Sequence, residues 1–379
     1  MATRDSEDAH RSTRRTHILF VGAGAVGCFY ASRLHHPSQN VYTSITARSN
    51  YAAIASSGVS LKTHSFGDYI FHPHGVFPSV SAATPGASAA KPVSPARQLH
   101  GQQVPPSNGW DYIIVTTKAL PDQTDDAALI APVVSPRTCI VLIQNGVGVE
   151  EPYRERFPQN PIVSAVTIVS AEQIAQGVIR QNRWTRISLG PYSYGLGARD
   201  HPSPSRHELE TRGRECMDQL SRWWTELGGI RDVETHTEME LQTIRWHKLC
   251  INAAFNPTAV LSGGRGNADQ LLDPELREHL AGVMAEIWDA APKVLGKPFP
   301  ESLATPDRII RSNERNAGAK PSMLLDWEAG RPMELEVILG NPIRIARKAG
   351  VKMPKLQTLY ALLSSMQKTR EERKAKEKL

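Results

Sequence analysis

The sequence predicts a parallel α/β sheet domain followed by a mostly helical C-terminal domain, on three observations. A short apolar run, His17 to Val21, meets the turn Gly22-Ala23-Gly24-Ala25-Val26-Gly27, and a helix-compatible segment, Cys28 to Leu34, follows at once. Short apolar runs then alternate with helical stretches, the mark of a parallel sheet. Near Pro202–Ser205 the character changes, and helical periodicity dominates from His207 onward.

The elements follow in chain order. Residues 1–16 are polar and read as a disordered N-terminus. Asp5, Glu7 and Asp8 argue against a mitochondrial presequence, so the cytoplasm is the expected compartment and the mitochondrial matrix the alternative. The strand–turn–helix beginning at His17 is the context a dinucleotide fingerprint needs. Gly22 permits the tight turn, Gly24 lets the backbone approach a pyrophosphate, and Gly27 lets the helix pack on its strand. Ala23, Ala25 and Val26 complete the turn, and the helix N-terminus faces the phosphates. The next strand, Val41 to Ala47, ends at Arg48-Ser49-Asn50. An NAD site places an acid there for the ribose 2′-hydroxyl. Arg48 with serine and asparagine beside it suits a 2′-phosphate instead, so NADP (NADPH) is the expected cofactor.

The stretch 73–109 carries Pro73, Pro78, Pro85, Pro92, Pro95, Pro105 and Pro106 and is rich in Ser, Ala and Gly, so it reads as a flexible surface insertion. The sheet resumes with Trp110 to Lys118, Thr138 to Gln144 and Ile162 to Val169, and 177–190 reads as a hairpin of β segments. Helices are expected over 207–227, 238–260, 270–296, 301–316, 332–349 and 355–377. No internal repeat is visible. The chain thus divides into a disordered 1–16, a Rossmann-type dinucleotide-binding domain over 17–205, and a helical substrate and catalytic domain over 206–379.

Bulk properties narrow the function. At 379 residues the chain can build two cores. The longest apolar runs, such as Cys139 to Ile143, are far too short to cross a bilayer, so no membrane role is expected. The net charge of +6 suits an anionic cofactor and substrate, and no aromatic-interleaved basic stripe supports nucleic-acid binding. Four cysteines (Cys28, Cys139, Cys216 and Cys250) show no paired spacing, so buried thiols and no metal site are expected.

Three clusters carry candidate chemistry. In an open parallel sheet, ligands bind beyond the carboxyl ends of the strands. Lys118 and Asn145-Gly146 lie at two such ends. Lys248, Asn252 and Asn256 fall at i, i+4 and i+8, one polar stripe on an otherwise apolar helix. Asparagine is a poor helix-interior residue, so the stripe implies a polar ligand, and a lysine beside a bound carbonyl can donate a proton. Ser322-Met323 precedes a short apolar turn, and Pro332-Met333-Glu334 opens a helix.

With these motifs the chain resembles the ketopantoate reductase (2-dehydropantoate 2-reductase) family from about His17 to Pro354. The motifs occur in order: Gly-Ala-Gly-Ala-Val-Gly at 22–27, Thr-Lys-Ala at 117–119, Gln-Asn-Gly-Val-Gly at 144–148, Trp-His-Lys-Leu at 246–249 with Asn252 and Asn256-Pro257, and Ser322-Met323 with Glu334 and Gly340. The resemblance implies NADPH-dependent reduction of 2-dehydropantoate to pantoate, for pantothenate and coenzyme A synthesis. It makes Lys248 the general acid, with Glu334 near it and bonded to the substrate hydroxyl. Asn145, Asn252, Asn256 and Ser322 would position a small anionic keto acid. Gly22, Ala23, Gly24, Ala25, Val26, Gly27, Arg48, Lys118 and Asn145 would hold the cofactor. A homodimer is the candidate assembly. Two features depart from the family pattern: the 73–109 insertion, and Ala319 where a polar residue is expected. They keep open a reductase of another 2-keto acid or carbonyl. The alternative of a different class is a non-catalytic NADP-binding module.

Overall fold

The first strand, β1 (Thr16–Val21), is apolar over its last four residues because both of its faces are covered. It lies in a computed structural model that describes residues 14–86, 104–195, 205–316 and 318–377. β1 pairs in parallel with β2 (Val41–Thr46) on one side and with β6 (Tyr112–Val115) on the other. β5 (Val76–Phe77) extends the sheet beyond β2, while β7 (Cys139–Leu142) and then β8 (Ile162–Ala175) extend it beyond β6, all in parallel. Alternate residues feed opposite faces. Ile18, Phe20, Tyr112, Ile114, Cys139 and Val141 enter one core, and Leu19, Val21, Ile113, Val115, Ile140 and Leu142 enter the other. A strand buried on both sides reads as an unbroken apolar run, which is why the sequence signal was strong here.

The first face is covered by α1 (Ala25–Ser32) and by a helix over Arg206–Arg222, through Phe29, Tyr30, Met217 and Leu220. The second is covered by short helices at Asp126–Ile130 and Glu151–Arg156, through Ala127, Ile130 and Tyr153. β8 turns into β9 (Val178–Tyr192) as a long antiparallel hairpin. Three further strands complete the sheet: β3 (Val59–Thr63) and β10 (Val233–Thr235) run parallel to β9, and β4 (Gly67–Phe71) pairs antiparallel with β3.

The chain splits into two compact units. The sheet unit takes residues up to Thr117, then Asp126–Gln144 and Glu150–Glu238. The helical unit takes Lys118–Asp125, Asn145–Val149 and Met239–Leu379. Its core is built on a long helix over Glu238–Leu261, with Trp246, Leu249, Cys250 and Ala253 facing inward. The helix over Pro274–Leu295 adds Leu280, Val283, Met284 and Ile287, spaced for one face, and the helix over Pro354–Lys376 adds Leu356, Leu359 and Leu363. Local chemistry sets the ends. Asp273 accepts from Glu275 N at 3.1 Å and Leu276 N at 3.2 Å, Pro274 opens the helix, and Gly296 closes it at φ 71°.

The structure corrects three boundaries. The N-terminal tail read as 1–16 is already ordered at Arg14, which pairs with Asp111 at 2.6 Å, and β1 starts at Thr16; residues 1–13 lie outside the described residues. Within the 73–109 insertion, Val76, Phe77, Val80 and Ala83 are buried, and 76–77 form β5. Prolines are tolerated there because β5 is an edge strand; residues 87–103 lie outside the described residues. The helix over 206–222, expected in the C-terminal domain, belongs to the sheet unit and packs on the sheet, with Gly213 against the Cβ of Pro191. The helical unit takes up the chain at Met239 instead. Among the described residues no helix is long and apolar enough to cross a membrane, and no group of three or more His, Cys, Asp or Glu could hold a metal ion.

Candidate active site

The glycine turn follows β1. Gly22 has φ +116°, and a Cβ there would lie 2.9 Å from Thr116 Oγ1, so backbone and space both require glycine. Gly27 faces Gly22 O and Thr116 across the turn, leaving no room for a side chain. Gly24 differs: a Cβ there would meet no atom within 4 Å. Nothing in the protein demands glycine at 24, whereas a pyrophosphate drawn close to the backbone would. Gly24 is the N-cap of α1 and, having no side chain, leaves the first-turn N–H groups without a side-chain acceptor. The residues present fit a dinucleotide phosphate.

Arg48 and Ser49 are exposed just beyond β2, so the guanidinium is accessible to a ligand. Asn50 differs from the sequence reading. It is buried, and its Nδ2 donates to Ala23 O at 2.9 Å and Gln173 Oε1 at 2.9 Å. That amide ties the glycine turn to the end of β2 and is not free to meet a phosphate.

A second polar group assembles within the helical unit. Lys248 Nζ donates to Asn145 Oδ1 at 2.8 Å. Asn145 Nδ2 donates to Glu334 Oε2 at 3.4 Å, and the Ala119 N–H donates to Glu334 Oε1 at 3.1 Å. Asn145 is held in place by its neighbours. Gly146 has φ +86° and abuts Val337, Arg245 Nη1 donates to Gly146 O at 2.9 Å, and Val147 N donates to Val337 O at 3.0 Å.

Burial and the Arg245 guanidinium push the Lys248 ammonium down from 10.5 to about 8, against the pull of the Glu334 carboxylate. Burial raises Glu334 above the ordinary carboxylate range, while the Ala119 N–H, Lys118 and Asn145 oppose the rise. A lysine near 8 and a raised carboxylate, joined by one amide, can hold and release a proton near neutral pH.

The structure thus brings together Lys248, Asn145 and Glu334, residues far apart in sequence. Asn256 lies further along the Lys248 helix. It is 5% exposed, and its Nδ2 has no protein partner. An unmet buried donor costs about 1–3 kcal/mol, so a ligand acceptor is its natural partner. The helix continues through Pro257 to Leu261, so Asn256 does not end it. Asn252 is half-buried, and Ser322 is exposed at the start of the helix over Ser322–Glu328.

Lys118, expected at the cofactor, is ion-paired with Asp326 in the helical unit. Asp326 is 4% exposed and also accepts from Arg331 Nε at 3.1 Å. Sequence reasoning missed Asp326 and Arg245, and gave Asn50 the wrong partner. The signal for Asp326 was an acid inside the apolar run Met323 to Trp327. Arg245 sits one turn before Lys248 and gave no signal of its own.

The sequence profile of the ketopantoate reductase family PanE/ApbA matches residues 18–194, and the profile of its C-terminal part matches 240–367. An uncharacterised protein of Saccharomyces cerevisiae is 27% identical over 94% of this chain and 95% of its own length. A 2-dehydropantoate 2-reductase of Nostoc is 24% identical over 90% of this chain and 92% of its own. The crystal structure of 2-dehydropantoate 2-reductase from Methylococcus capsulatus superposes with a TM-score of 0.71 at 30% identity, covering 93% of this chain and 97% of that one. With both profiles in order along a Rossmann-type sheet unit and a helical unit, the chain belongs to the ketopantoate reductase family of oxidoreductases.

Proposed function

We propose that this chain is an NADPH-dependent 2-dehydropantoate 2-reductase that makes pantoate for pantothenate and coenzyme A synthesis. One observation carries the reading: the Lys248–Asn145–Glu334 chain, with its lysine pulled down to about 8. Bound NADPH would supply the hydride delivered to the C2 ketone. The glycine turn and Arg48 would hold its pyrophosphate and 2′-phosphate. Lys118 would reach it only by exchanging its Asp326 partner.

Lys248 has three N–H donors, of which Asn145 takes one. Another would meet the ketone oxygen and give up its proton as negative charge develops there. Glu334 would accept from the substrate hydroxyl, and Asn256 Nδ2, Asn252 and Ser322 would hold the rest of the small anionic acid. A homodimer is the proposed assembly, read by sedimentation. The names carried by the Nostoc and Methylococcus relatives support this substrate.

Ala319 favours a second reading, a reductase of another 2-keto acid. Its carbonyl accepts from Asn267 N at 2.9 Å, and its methyl offers a substrate no hydrogen bond. Steady-state NADPH oxidation with 2-dehydropantoate and a panel of 2-keto acids separates the two. The proposal expects the highest kcat/KM with 2-dehydropantoate. A higher value with another acid would overturn it, and no turnover with any would leave a binding module.

A further inference from the structure

We propose that Asn341 is a positioning residue for the proton donor: it holds the turn from Asn145 to Gly148 against the segment that follows Glu334, and so places the amide that joins Glu334 to Lys248. This rests on the reading of Lys248 as the acid. The grip is on Val147, which is buried. Its N–H donates to Val337 O at 3.0 Å, and its carbonyl accepts from Asn341 Nδ2 at 2.9 Å. The sequence explains why Val337 O is open to it. After Glu334 the chain widens into a π-helical turn over Glu336–Gly340, closed by a bond from Asn341 N to Glu336 O. The next N–H along would serve Val337 O, but residue 342 is proline and has none. That carbonyl is left for Val147.

The Asn341 amide is itself oriented. Arg344 Nη2 donates to Asn341 Oδ1 at 2.7 Å and to Glu336 Oε2 at 2.5 Å, and Tyr360 Oη donates to Glu336 Oε1. With its oxygen taken by Arg344, the amide turns its N–H toward Val147. Gly148, at φ +68°, makes room for it, since a Cβ there would lie 3.2 Å from Asn341 Nδ2. The carbonyl before Val147, Gly146 O, is held by Arg245 Nη1. Two consecutive carbonyls and one N–H of the turn are therefore fixed by residues of the helical unit.

The consequence falls on Lys248 more than on Glu334. Lys248 Nζ is oriented by Asn145 Oδ1 at 2.8 Å, so a shift of the turn carries that acceptor away from it. Glu334 keeps a second anchor, the Ala119 N–H at 3.1 Å, which is shorter than its 3.4 Å bond from Asn145. Loss of the Asn341 donor should therefore impair proton delivery while leaving the substrate hydroxyl its carboxylate. A displacement of about 1 Å in a group that positions the reacting atoms costs up to about 10²-fold in rate.

The test uses the full chain, with NADPH and whichever acid of the 2-keto acid panel gives the highest kcat/KM. Asn341→Ala removes the donor. Asn341→Asp removes it too, but keeps the shape and the oxygen that Arg344 holds, so it serves if the alanine variant does not fold. Both should lower kcat roughly 10- to 100-fold, with KM for the keto acid changed by less than about threefold and NADPH affinity unchanged. A double-mutant cycle then separates positioning from general loosening of the fold. If Asn341 acts through Asn145, adding Asn341→Ala to Asn145→Ala should lower kcat no further than about twofold. Losses that multiply in the double variant would overturn the proposal, as would a kcat within about twofold of wild type in the Asn341 variants. Lys248→Ala in the same assay tells the two readings apart. If it loses kcat and the Asn341 variants do not, only the role of Asn341 falls; if it keeps kcat, the acid itself is misassigned and both fall.

Discussion

Lys248 is bonded to an amide, and the carboxylate stands one residue further away. That order matters. A carboxylate directly on the ammonium would stabilise its charge and raise its pKa, whereas the neutral Asn145 leaves burial and Arg245 in control, near 8. The acid form is the one that protonates a ketone. Reduction should therefore fall as pH rises through about 8, and the reverse oxidation should rise over the same range. Asn145→Asp should move that limb to higher pH, and a pH profile of kcat that stays put would contradict the arrangement. Lys248→Ala should lower kcat by about 10²–10⁴-fold and abolish the limb, while NADPH still binds, as equilibrium titration would read. At the cofactor, Arg48→Ala should weaken NADPH by about 1.5–3 kcal/mol, roughly ten- to a hundred-fold, and leave NADH little changed. Equal affinity of the wild type for both cofactors would remove Arg48 from the 2′-phosphate.

Elements repeat the lesson at larger spacing. The glycine turn separates two kinds of requirement, one within the protein and one for the ligand. Gly22→Ala forces a side chain onto φ +116° and against Thr116, so it should lower the unfolding midpoint. Gly24→Ala meets no protein atom within 4 Å, so stability should hold within about 0.5 kcal/mol while NADPH affinity drops. If Gly24→Ala leaves affinity unchanged, no phosphate passes there. β5 is the counter-example to reading composition alone. The proline- and serine-rich stretch hid a two-residue apolar strand, and Phe77, 1% exposed, packs edge-on to Trp110 at 6.0 Å. Phe77→Ala should cost about 3–5 kcal/mol in chemical denaturation, and a loss below about 1 kcal/mol would show that the segment carries no core. The turn and the inner strands were legible because their signals are local. β5 was not, because two apolar residues make no periodic pattern and only the free edge of β2 gives them a place.

For the molecule as a whole, cofactor binding should be visible as stability. A ligand that binds only the folded state contributes about 2.7 kcal/mol at a concentration one hundred times its Kd. NADPH should therefore raise the thermal midpoint, and Arg48→Ala at the same concentration should show a clearly smaller rise. No shift in the wild type at saturating NADPH would argue against the dinucleotide site itself. The sequence alone determined the inner strands of the sheet, the long helices of the second unit, the glycine turn and the Lys248–Asn252–Asn256 stripe. Each is written in spacing over a few residues, where backbone geometry is the whole cause. Only the tertiary structure placed Asn145 between Lys248 and Glu334, 103 and 189 residues away. It alone engaged Lys118 with Asp326, Asn50 with the glycine turn, and the helix over 206–222 with the sheet. Those partners are chosen by which buried polar groups meet once the cores close. A buried donor or charge must find an acceptor wherever packing leaves one, and sequence distance says nothing about where that is.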